Sequence, residues 1–470
     1  MSDVKTYIQK LLEARNLSKG SSASNLLEEF CSDPYIIESV HLILNTQKML
    51  INKWQIKSRI EEITHQSIVI PNGTVGKKYE AKLDFVQLAL NDLVYTQFEG
   101  LSEYGLFYDN ESETIKGIPE KAGDSKIILK FRIEGEAESS VLNEKKISLV
   151  INPDPKSLWK NIDSDPQDPF WKIDNTAEFA PIGNGKHIVV ASKRGRSHAN
   201  VGSFRDDDFA FKFLEATGWS VVVISDGAGS AKFSRKGAQV VCSAIVTYFE
   251  ELFTAADNEA FNALIFHYLL ETGEDTVRKL NHWVYHHLSK AALYAHNQLV
   301  ALTKELNCDL KDLHATLSFT LFKKIEEKFV LLSFGVGDCP MAVLSSDLNK
   351  VTLLNWLDVG EFGGGTRFIT MPEIFSSEKF HSRFSFKMME DFSYLMLFTD
   401  GIYDPKFMVE ANLEKIEMWQ NFVQDLQGAN QDNCAVNLSP DNADIAPQLS
   451  KWMDFWSIGN HDDRTLAIVF

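Results

Sequence analysis

Five groupings of acidic residues stand where apolar runs begin or end. They are Ser225-Asp226-Gly227, Gly337-Asp338, Thr399-Asp400-Gly401 with Asp404 beyond it, Asp462-Asp463, and Asp206-Asp207-Asp208 just before Phe209-Ala210-Phe211. A single aspartate at a strand end is ordinarily a turn former or a helix cap, because its short carboxylate bonds nearby backbone N–H groups. Five in one stretch of chain demand more. If the strands are neighbours, their ends converge and several carboxylates crowd one place. Like charges at such range cannot all stay ionised without cations. All-oxygen ligands suit hard ions such as Mg²⁺ or Mn²⁺, not zinc. Two such ions ~4 Å apart activate a water and clamp a phosphoryl group, so the expected chemistry is hydrolysis of a phosphate ester.

In their order along the chain these residues resemble the metal-dependent Ser/Thr protein phosphatases of type 2C. That family carries an early acidic pair, a D-G-x-G turn, a G-D strand end, a D-G-x-x-D turn and a terminal D-N-x-T strand. This chain has Asp206-Asp207, Asp226-Gly227-Ala228-Gly229, Gly337-Asp338, Asp400-Gly401-Ile402-Tyr403-Asp404 and Asp462-Asp463-Arg464-Thr465. The resemblance implies that Asp226 bridges two metals and that the Gly227 carbonyl binds the second. Asp400 and Asp462 would complete the first, and Asp207, with Asp206, would hold waters of the second. Asp338 and Asp404, with Asp400, match a weaker third site. The implied cofactors are two or three Mn²⁺ or Mg²⁺ ions, and the implied substrate is phosphoserine or phosphothreonine in a protein. The implied reaction is in-line attack by water, with no phosphoenzyme.

Three positions depart from the family pattern. The family's phosphate-binding arginine lies in Gly-x-x-Arg-x-x-Asn-x-Asp, whereas Gly202-Ser203-Phe204-Arg205-Asp206-Asp207 has a shorter spacing. A phosphoester dianion needs a cation that does not depend on the metals, and guanidinium matches its oxygens bidentately. Arg205 is therefore the first candidate for the phosphate grip and Arg196 the second. Many eukaryotic members have histidine directly after D-G; here Ala228 stands there, which leaves His198 or a metal-bound water to protonate the leaving alkoxide. Asp463 replaces the usual asparagine. The catalytic set expected from the resemblance is thus Arg205, His198 and Asp207. The stretch from Ser197-His198 to Gly202, with D-G-A-G-S, resembles a divergent bacterial branch, which carries the expectation of a cognate Ser/Thr kinase as partner. The rival reading is a pseudophosphatase or phosphoprotein-binding scaffold, to which the altered arginine region points.

Other signals are weaker. His282 and His286 have metal-ligand spacing on a helix, but a zincin needs glutamate after the first histidine and Trp283 is there. Gly363-Gly364-Gly365 with Thr366-Arg367 lacks the strand and helix of a nucleotide loop. His314 opens a strand and reads as a core or surface residue. Ser225 and Ser230 lack the G-x-S-x-G context of a serine nucleophile. Cys31, Cys242, Cys308, Cys339 and Cys434 are odd in number and form no C-x-x-C pair, which argues for a reducing compartment.

The carboxylates need strands and helices to carry them. VVVISDG, HATLSFTLFKK, KFVLLSFGVGD, YLMLFTDG and TLAIVF read as strands between amphipathic helices, one of which bears Val241, Ile245, Tyr248, Phe249 and Leu252. Two β-sheets packed face to face with helices outside, an α/β/β/α sandwich, is the architecture the family resemblance implies for residues 187–470. Upstream, residues 1–65 read as helical, broken at Gly20-Ser21-Ser22, with a dense apolar run after Asp33-Pro34 that calls for a buried face. Residues 66–152 change to short period-two runs such as Tyr79, Ala81, Leu83 and Phe85 between turn residues, which suggests a small β-sandwich. This segment resembles the bacterial immunoglobulin-like domain through Pro71-Asn72-Gly73-Thr74-Val75-Gly76, Gly100-Leu101, Gly105-Leu106, Ile115-Lys116-Gly117-Ile118-Pro119 and Ala122-Gly123. Residues 153–186, rich in Pro, Asp and Trp, read as a linker lying on the next domain through Trp159, Phe170 and Trp171.

Composition limits the remaining choices. With 47 Lys and Arg against 65 Asp and Glu the chain carries −18, which makes it a poor nucleic-acid binder. No run approaches the ~20 apolar residues of a membrane span. The opening MSDVKTYIQKLLEARN has no apolar core of a secretory signal, so the expected location is the cytoplasm. The expectation is therefore a multidomain, cytoplasmic phosphoprotein phosphatase with no nucleic-acid or membrane partner.

Overall fold

The structure is a computed structural model that describes residues 2–17, 23–271, 273–358 and 365–470. It divides into two compact units, Met1–Leu158 and Trp159–Phe470.

Helices α1 (Ser2–Ala14), α2 (Ala23–Ser32) and α3 (Pro34–His65) open the first unit. Asp33 caps α3 by accepting from the Tyr35 N–H, and Pro34 takes the first turn, where an N–H is not needed. Val4, Ile8, Cys31 and Val40 form a small core among the three helices. The break expected at Gly20-Ser21-Ser22 lies outside the described residues. The buried face expected of α3 is small. Val40 and Ile63 are its buried residues, while Leu42, Met49, Leu50 and Trp54 are exposed.

Seven strands follow in this unit: β1 (Gly73–Thr74), β2 (Tyr79–Lys82), β3 (Leu93–Glu99), β4 (Leu106–Asp109), β5 (Thr114–Gly117), β6 (Gly123–Ile133) and β7 (Asn143–Asn152). They make a four-stranded sheet, β1-β7-β6-β3, and a three-stranded sheet, β2-β5-β4. Tyr79, Ala81 and Leu83 are buried, as their period-two spacing predicts. Both sheets and the end of α3 share one core, with Ile63, Ile115, Leu129 and Phe131 in it. Lys145 on β7 is buried and closes the end of α3. Its Nζ donates to the carbonyls of Ile63 at 2.8 Å, Thr64 at 3.2 Å and Gln66, which the helix leaves without partners.

The second unit contains β8 (Asn175–Pro181), β9 (His187–Lys193), α4 (Arg196–Val201), β10 (Asp208–Leu214), β11 (Trp219–Ser225), α5 (Ser234–Thr247), α6 (Ala255–Leu270), α7 (Glu274–Leu306), β12 (Leu317–Ile325), β13 (Lys328–Val336), β14 (Met341–Ser345), β15 (Val351–Leu353), α8 (Glu373–Ser376), β16 (Phe384–Met389), β17 (Phe392–Phe398), α9 (Asp400–Phe407), α10 (Ile416–Leu426), α11 (Ile445–Trp452) and β18 (Arg464–Val469). One sheet runs β10-β11-β12-β13-β16 and the other β15-β14-β17-β18-β9-β8. Residues alternate faces along each strand. Val222, Ile224, Phe322 and Leu331 of the first sheet meet Val190, Val343, Leu397 and Ala467 of the second in one core. The opposite face of the first sheet, with Val221 and Val223, packs on Val241 and Ile245 of α5 and Ala291 of α7. The opposite face of the second, with Val189 and Met396, packs on Trp419 and Phe422 of α10 and Leu449 of α11. Covering on both faces explains why β11 reads as an unbroken apolar run.

The linker expected over 153–186 does not hold through its length. The unit boundary falls after Leu158, and β8 is an edge strand of the six-stranded sheet. Its residues are half-buried or exposed, so they carry no sharp apolar alternation for a sequence reading to find. Between them, residues 159–174 lie on their own unit as a strap. Phe170 meets Phe233 edge-on at 5.3 Å between ring centres, and Trp159 lies 4.4 Å from the His461 ring. Among the described residues, no helix is long and apolar enough to cross a membrane.

Candidate metal centre

The acidic turns are brought together by backbone packing. At the end of β11, Asp226 N–H donates to Thr316 Oγ1 and Thr316 N–H donates to the Asp226 carbonyl, both at 2.8 Å. The turn is thereby fixed against the start of β12. A side chain on Gly227 would meet the Asp206 carbonyl oxygen at 2.7 Å, so glycine lets the segment before β10 touch this turn. Across the site, a Cβ on Gly401 would lie 1.9 Å from the Asp463 carbonyl oxygen. The start of α9 thus rests directly on the residues before β18. Asp404 lies one turn along α9 from Asp400, exposed, with Asn460 Nδ2 donating to it at 3.2 Å. Asp338 follows β13, and the oxygens of Asp226 and Asp338 with the Cys339 sulfur lie within 4.8 Å of one another.

The electrostatics report the crowding. Asp226 is pushed well above the ordinary carboxylate range by burial, then by the charges of Asp400, Asp207, Asp338 and Asp462. Asp400 is pushed up in the same way by burial and by Asp462, Asp338, Asp207 and Asp404. Asp206 and Asp207 are each raised to about 7, by burial and then by Asp463. Within this group Asp338 Oδ1 and Asp400 Oδ1 are buried and accept no hydrogen bond. Hard oxygen donors, mutually repelling and with orphaned buried oxygens, fit divalent cations.

Asp207 is held by two hydroxyls, Thr399 Oγ1 at 2.8 Å and Thr465 Oγ1 at 2.7 Å, both donating to Oδ2. Asp463 is 2% exposed and ties three segments together. Its Oδ1 accepts from Gly195 N–H at 2.5 Å and lies 3.0 Å from His198 Nδ1, and its Oδ2 accepts from Asp206 N–H at 2.5 Å. His198 Nε2 faces Asp206 Oδ2 at 3.8 Å. Burial works against charge on His198, but the Asp463 bond and the charges of Asp463, Asp206 and Asp462 outweigh it and lift its pKa to about 9. Asp462 lies beside this pair at the exposed rim.

Arg205 does not stand where a phosphate grip requires. It is 3% exposed. Its Nε donates to the Ile173 carbonyl at 3.2 Å, and its Nη1 to the Asp207 carbonyl at 2.9 Å and to Ser192 Oγ. Ser192 in turn bonds Thr465 Oγ1 at 2.7 Å. The guanidinium is turned inward, and the strap lies over it. Arg196, the second candidate, donates from Nη2 to the Asp454 carbonyl at 2.7 Å and lies over the Trp456 ring. Of the weaker signals, Gly363-Gly364 lies outside the described residues, while Thr366 Oγ1 donates to Asp338 Oδ2 at 2.7 Å.

The bonding roles of Thr399, Thr465 and Asp463 go beyond the sequence reading. Thr399 and Asp463 each adjoin an assigned aspartate and Thr465 closes the D-D-x-T run, which is the signal the sequence offers for them. Cys339 adjoins Asp338 in the same way.

Comparison with known proteins bears on the same stretch. The model of the protein phosphatase 2C family matches residues 194–452, more than half of the chain. The match includes Asp206, Asp207, Asp226, Asp338, Asp400 and Asp404 and stops short of Asp462 and Asp463. Solved structures similar to this chain include the catalytic domain of the serine/threonine phosphatase PstP in complex with two manganese ions (15% identity, 60% of this chain and 97% of that one, TM-score 0.35). The S. agalactiae serine/threonine phosphatase is 12% identical over 61% of this chain and 99% of that one, TM-score 0.36. Stp1 from Staphylococcus aureus is 14% identical over 63% and 98%, TM-score 0.32. No curated protein matches the chain. With a family match over more than half its length, the chain belongs to the protein phosphatase 2C family.

Proposed function

We propose that the C-terminal unit hydrolyses phosphoserine and phosphothreonine in protein substrates with the help of two Mn²⁺ or Mg²⁺ ions. Asp226, the Gly227 carbonyl, Asp400 and Asp462 would hold them, with Asp206 and Asp207 around the second, and Asp338 and Asp404 at a weaker third position. The observation that carries this reading is the pair of buried, unbonded oxygens, Asp338 Oδ1 and Asp400 Oδ1, among carboxylates that raise one another's pKa. Such an arrangement is costly unless cations complete it.

Bound divalent ions would supply a nucleophilic water at neutral pH and neutralise charge on the phosphoryl group. The chain's own residues do the positioning. Thr399 and Thr465 fix the orientation of Asp207. Asp463 holds His198 through Nδ1 and leaves Nε2 to carry the proton for the departing alkoxide. Arg205 braces this shell through Ser192 and the Asp207 carbonyl, a positioning role in place of the phosphate grip. The N-terminal strands would form an immunoglobulin-like spacer, and a cognate Ser/Thr kinase in the cytoplasm would supply the phosphoprotein.

The inward turn of Arg205 favours a second reading, a phosphoprotein-binding scaffold without catalysis. One experiment separates the two: p-nitrophenyl phosphate and phosphopeptide hydrolysis in Mn²⁺ and after exhaustive chelation with EDTA. The proposal expects release in Mn²⁺ that chelation abolishes. Phosphopeptide binding without release favours the scaffold. Full release after chelation overturns the metal reading.

A further inference from the structure

A cleft of about 230 Å³ lies in the C-terminal unit, next to the candidate centre, and its charge is unlike that of the rest of the molecule. Lys160, Lys193, Arg194, Arg196 and Arg464 line it against a single carboxylate, Asp454, in a chain of net charge −18. Part of this charge is committed. Lys193 Nζ pairs with Asp454 Oδ1 at 2.5 Å, and Arg194 Nη2 with Asp174 Oδ2 at 3.0 Å. The rest is not. Arg464 donates to the carbonyls of Met453 and Phe455 and to Ser457 Oγ, all neutral acceptors. Arg196 likewise bonds a neutral carbonyl. Lys160 on the strap is exposed and forms no ion pair among the described residues. Three cations thus face one cleft without a carboxylate of their own.

The cleft is one residue thick from the centre. Gly195 forms part of its wall, and a Cβ on Gly195 would lie 2.4 Å from the Asp462 carbonyl carbon and 2.5 Å from the His461 oxygen. The same Gly195 N–H is fixed by Asp463. A group bound in the cleft is therefore the neighbour of one bound beside Asp462. An extended peptide advances roughly 3.3–3.6 Å per residue, so a few residues of a substrate seated beside Asp462 would span the one backbone segment between centre and cleft. Clustered cations that lack an internal carboxylate recognise phosphate or carboxylate, and arginine forks suit phosphate best.

We propose that this cleft is an anion subsite, binding a second phosphate or an acidic side chain two or three residues from the scissile phosphoester. The preferred substrate class is then doubly phosphorylated or acid-flanked phosphopeptide. The inference rests on the phosphatase reading for its kinetic test but not for its binding test.

The experiment compares kcat/KM in Mn²⁺, at fixed ionic strength, for a neutral monophosphoserine peptide and for its analogues with a second phosphoserine two or three residues to either side. The full chain is used as native protein, Lys160→Glu, and Lys328→Glu, an exposed charge reversal outside the cleft. Expected is a preference of about tenfold or more for one diphosphopeptide, falling to near one in Lys160→Glu and unchanged in Lys328→Glu. A native ratio near one, or a preference that survives Lys160→Glu, overturns the subsite. Should Lys160→Glu fail to fold, Lys160→Gln takes its place with a smaller expected fall. Inorganic phosphate is added in a second arm. If it removes the preference well below the concentration that inhibits monophosphopeptide turnover, the subsite takes free phosphate as well as peptide phosphate. If the native protein hydrolyses none of the peptides, the phosphatase reading has failed by itself. Calorimetry of the same peptides then decides the subsite: tighter diphosphopeptide binding that Lys160→Glu abolishes supports it, and equal binding overturns it.

Discussion

Asp226 sits among four other carboxylates that raise its pKa, and its backbone is pinned on both sides by Thr316. Replacing it by asparagine removes a charge that no neighbour can supply. Asp226→Asn and Asp462→Asn should each lower kcat by at least ~100-fold, and Asp338→Asn by less if Asp338 serves the weaker position proposed for it. Steady-state kinetics in saturating Mn²⁺ check the ranking, and equal losses at all three would show that the ions are shared differently. His287 on α7 takes no part in the centre and titrates apart from it. It is 8% exposed, stacked on Trp283 at 4.1 Å, and burial holds its pKa down at about 4 despite Asp257 at 4.0 Å. Because the folded value lies below the unfolded ~6.5, the penalty is absent above pH 7. It grows as pH falls below 6.5 and saturates near 4. Between pH 7.5 and pH 5 the stability difference between the native protein and His287→Phe should move by about 2 kcal/mol against the native protein. Urea unfolding of both proteins at the two pH values measures it, and a constant gap would contradict the assignment.

At the scale of elements, strand ends and glycine turns do the assembling, and these were the most legible features of the sequence. An apolar run closed by Asp-Gly reads directly as β11 and its turn, or as β17 entering α9. What the letters do not carry is direction into or out of the core. Arg205 beside two aspartates reads alike whether its guanidinium faces a substrate or turns under the strap toward Ser192 and Ile173. Edge strand β8 reads as linker because none of its residues is buried. The dense apolar residues of α3 suggested burial, yet Leu50 and Trp54 stay exposed. The strap gives this scale its prediction. Lys172 Nζ donates to the Asp207 carbonyl at 2.6 Å, and Arg235 Nη2 to Asp168 Oδ1 at 2.7 Å, so residues 159–174 belong to the phosphatase unit. A chain beginning at Trp159 should fold and keep its hydrolytic rate within about twofold, whereas one beginning at Asn175 should lose it. Circular dichroism and phosphopeptide assays decide. Full activity without the strap would make it dispensable.

For the whole molecule, an acidic chain with a repelling carboxylate centre is expected to gain stability from cations where the centre is and nowhere else. Scanning calorimetry in Mn²⁺ should raise the transition of the C-terminal unit by several degrees and leave that of the N-terminal unit in place, since a ligand stabilises only the unit that binds it. Mn²⁺ moving both transitions equally would point to surface screening. Whether the converged aspartates make a metal-dependent phosphoester hydrolase is decided by phosphate release from a phosphoserine peptide as Mn²⁺ is titrated into the metal-free native protein and into Asp226→Asn. Expected are no release without metal, saturable release by the native protein, and ~100-fold less at every Mn²⁺ concentration for the variant. Equal release by the two proteins, or release by the native protein that does not depend on Mn²⁺, would contradict the metal reading.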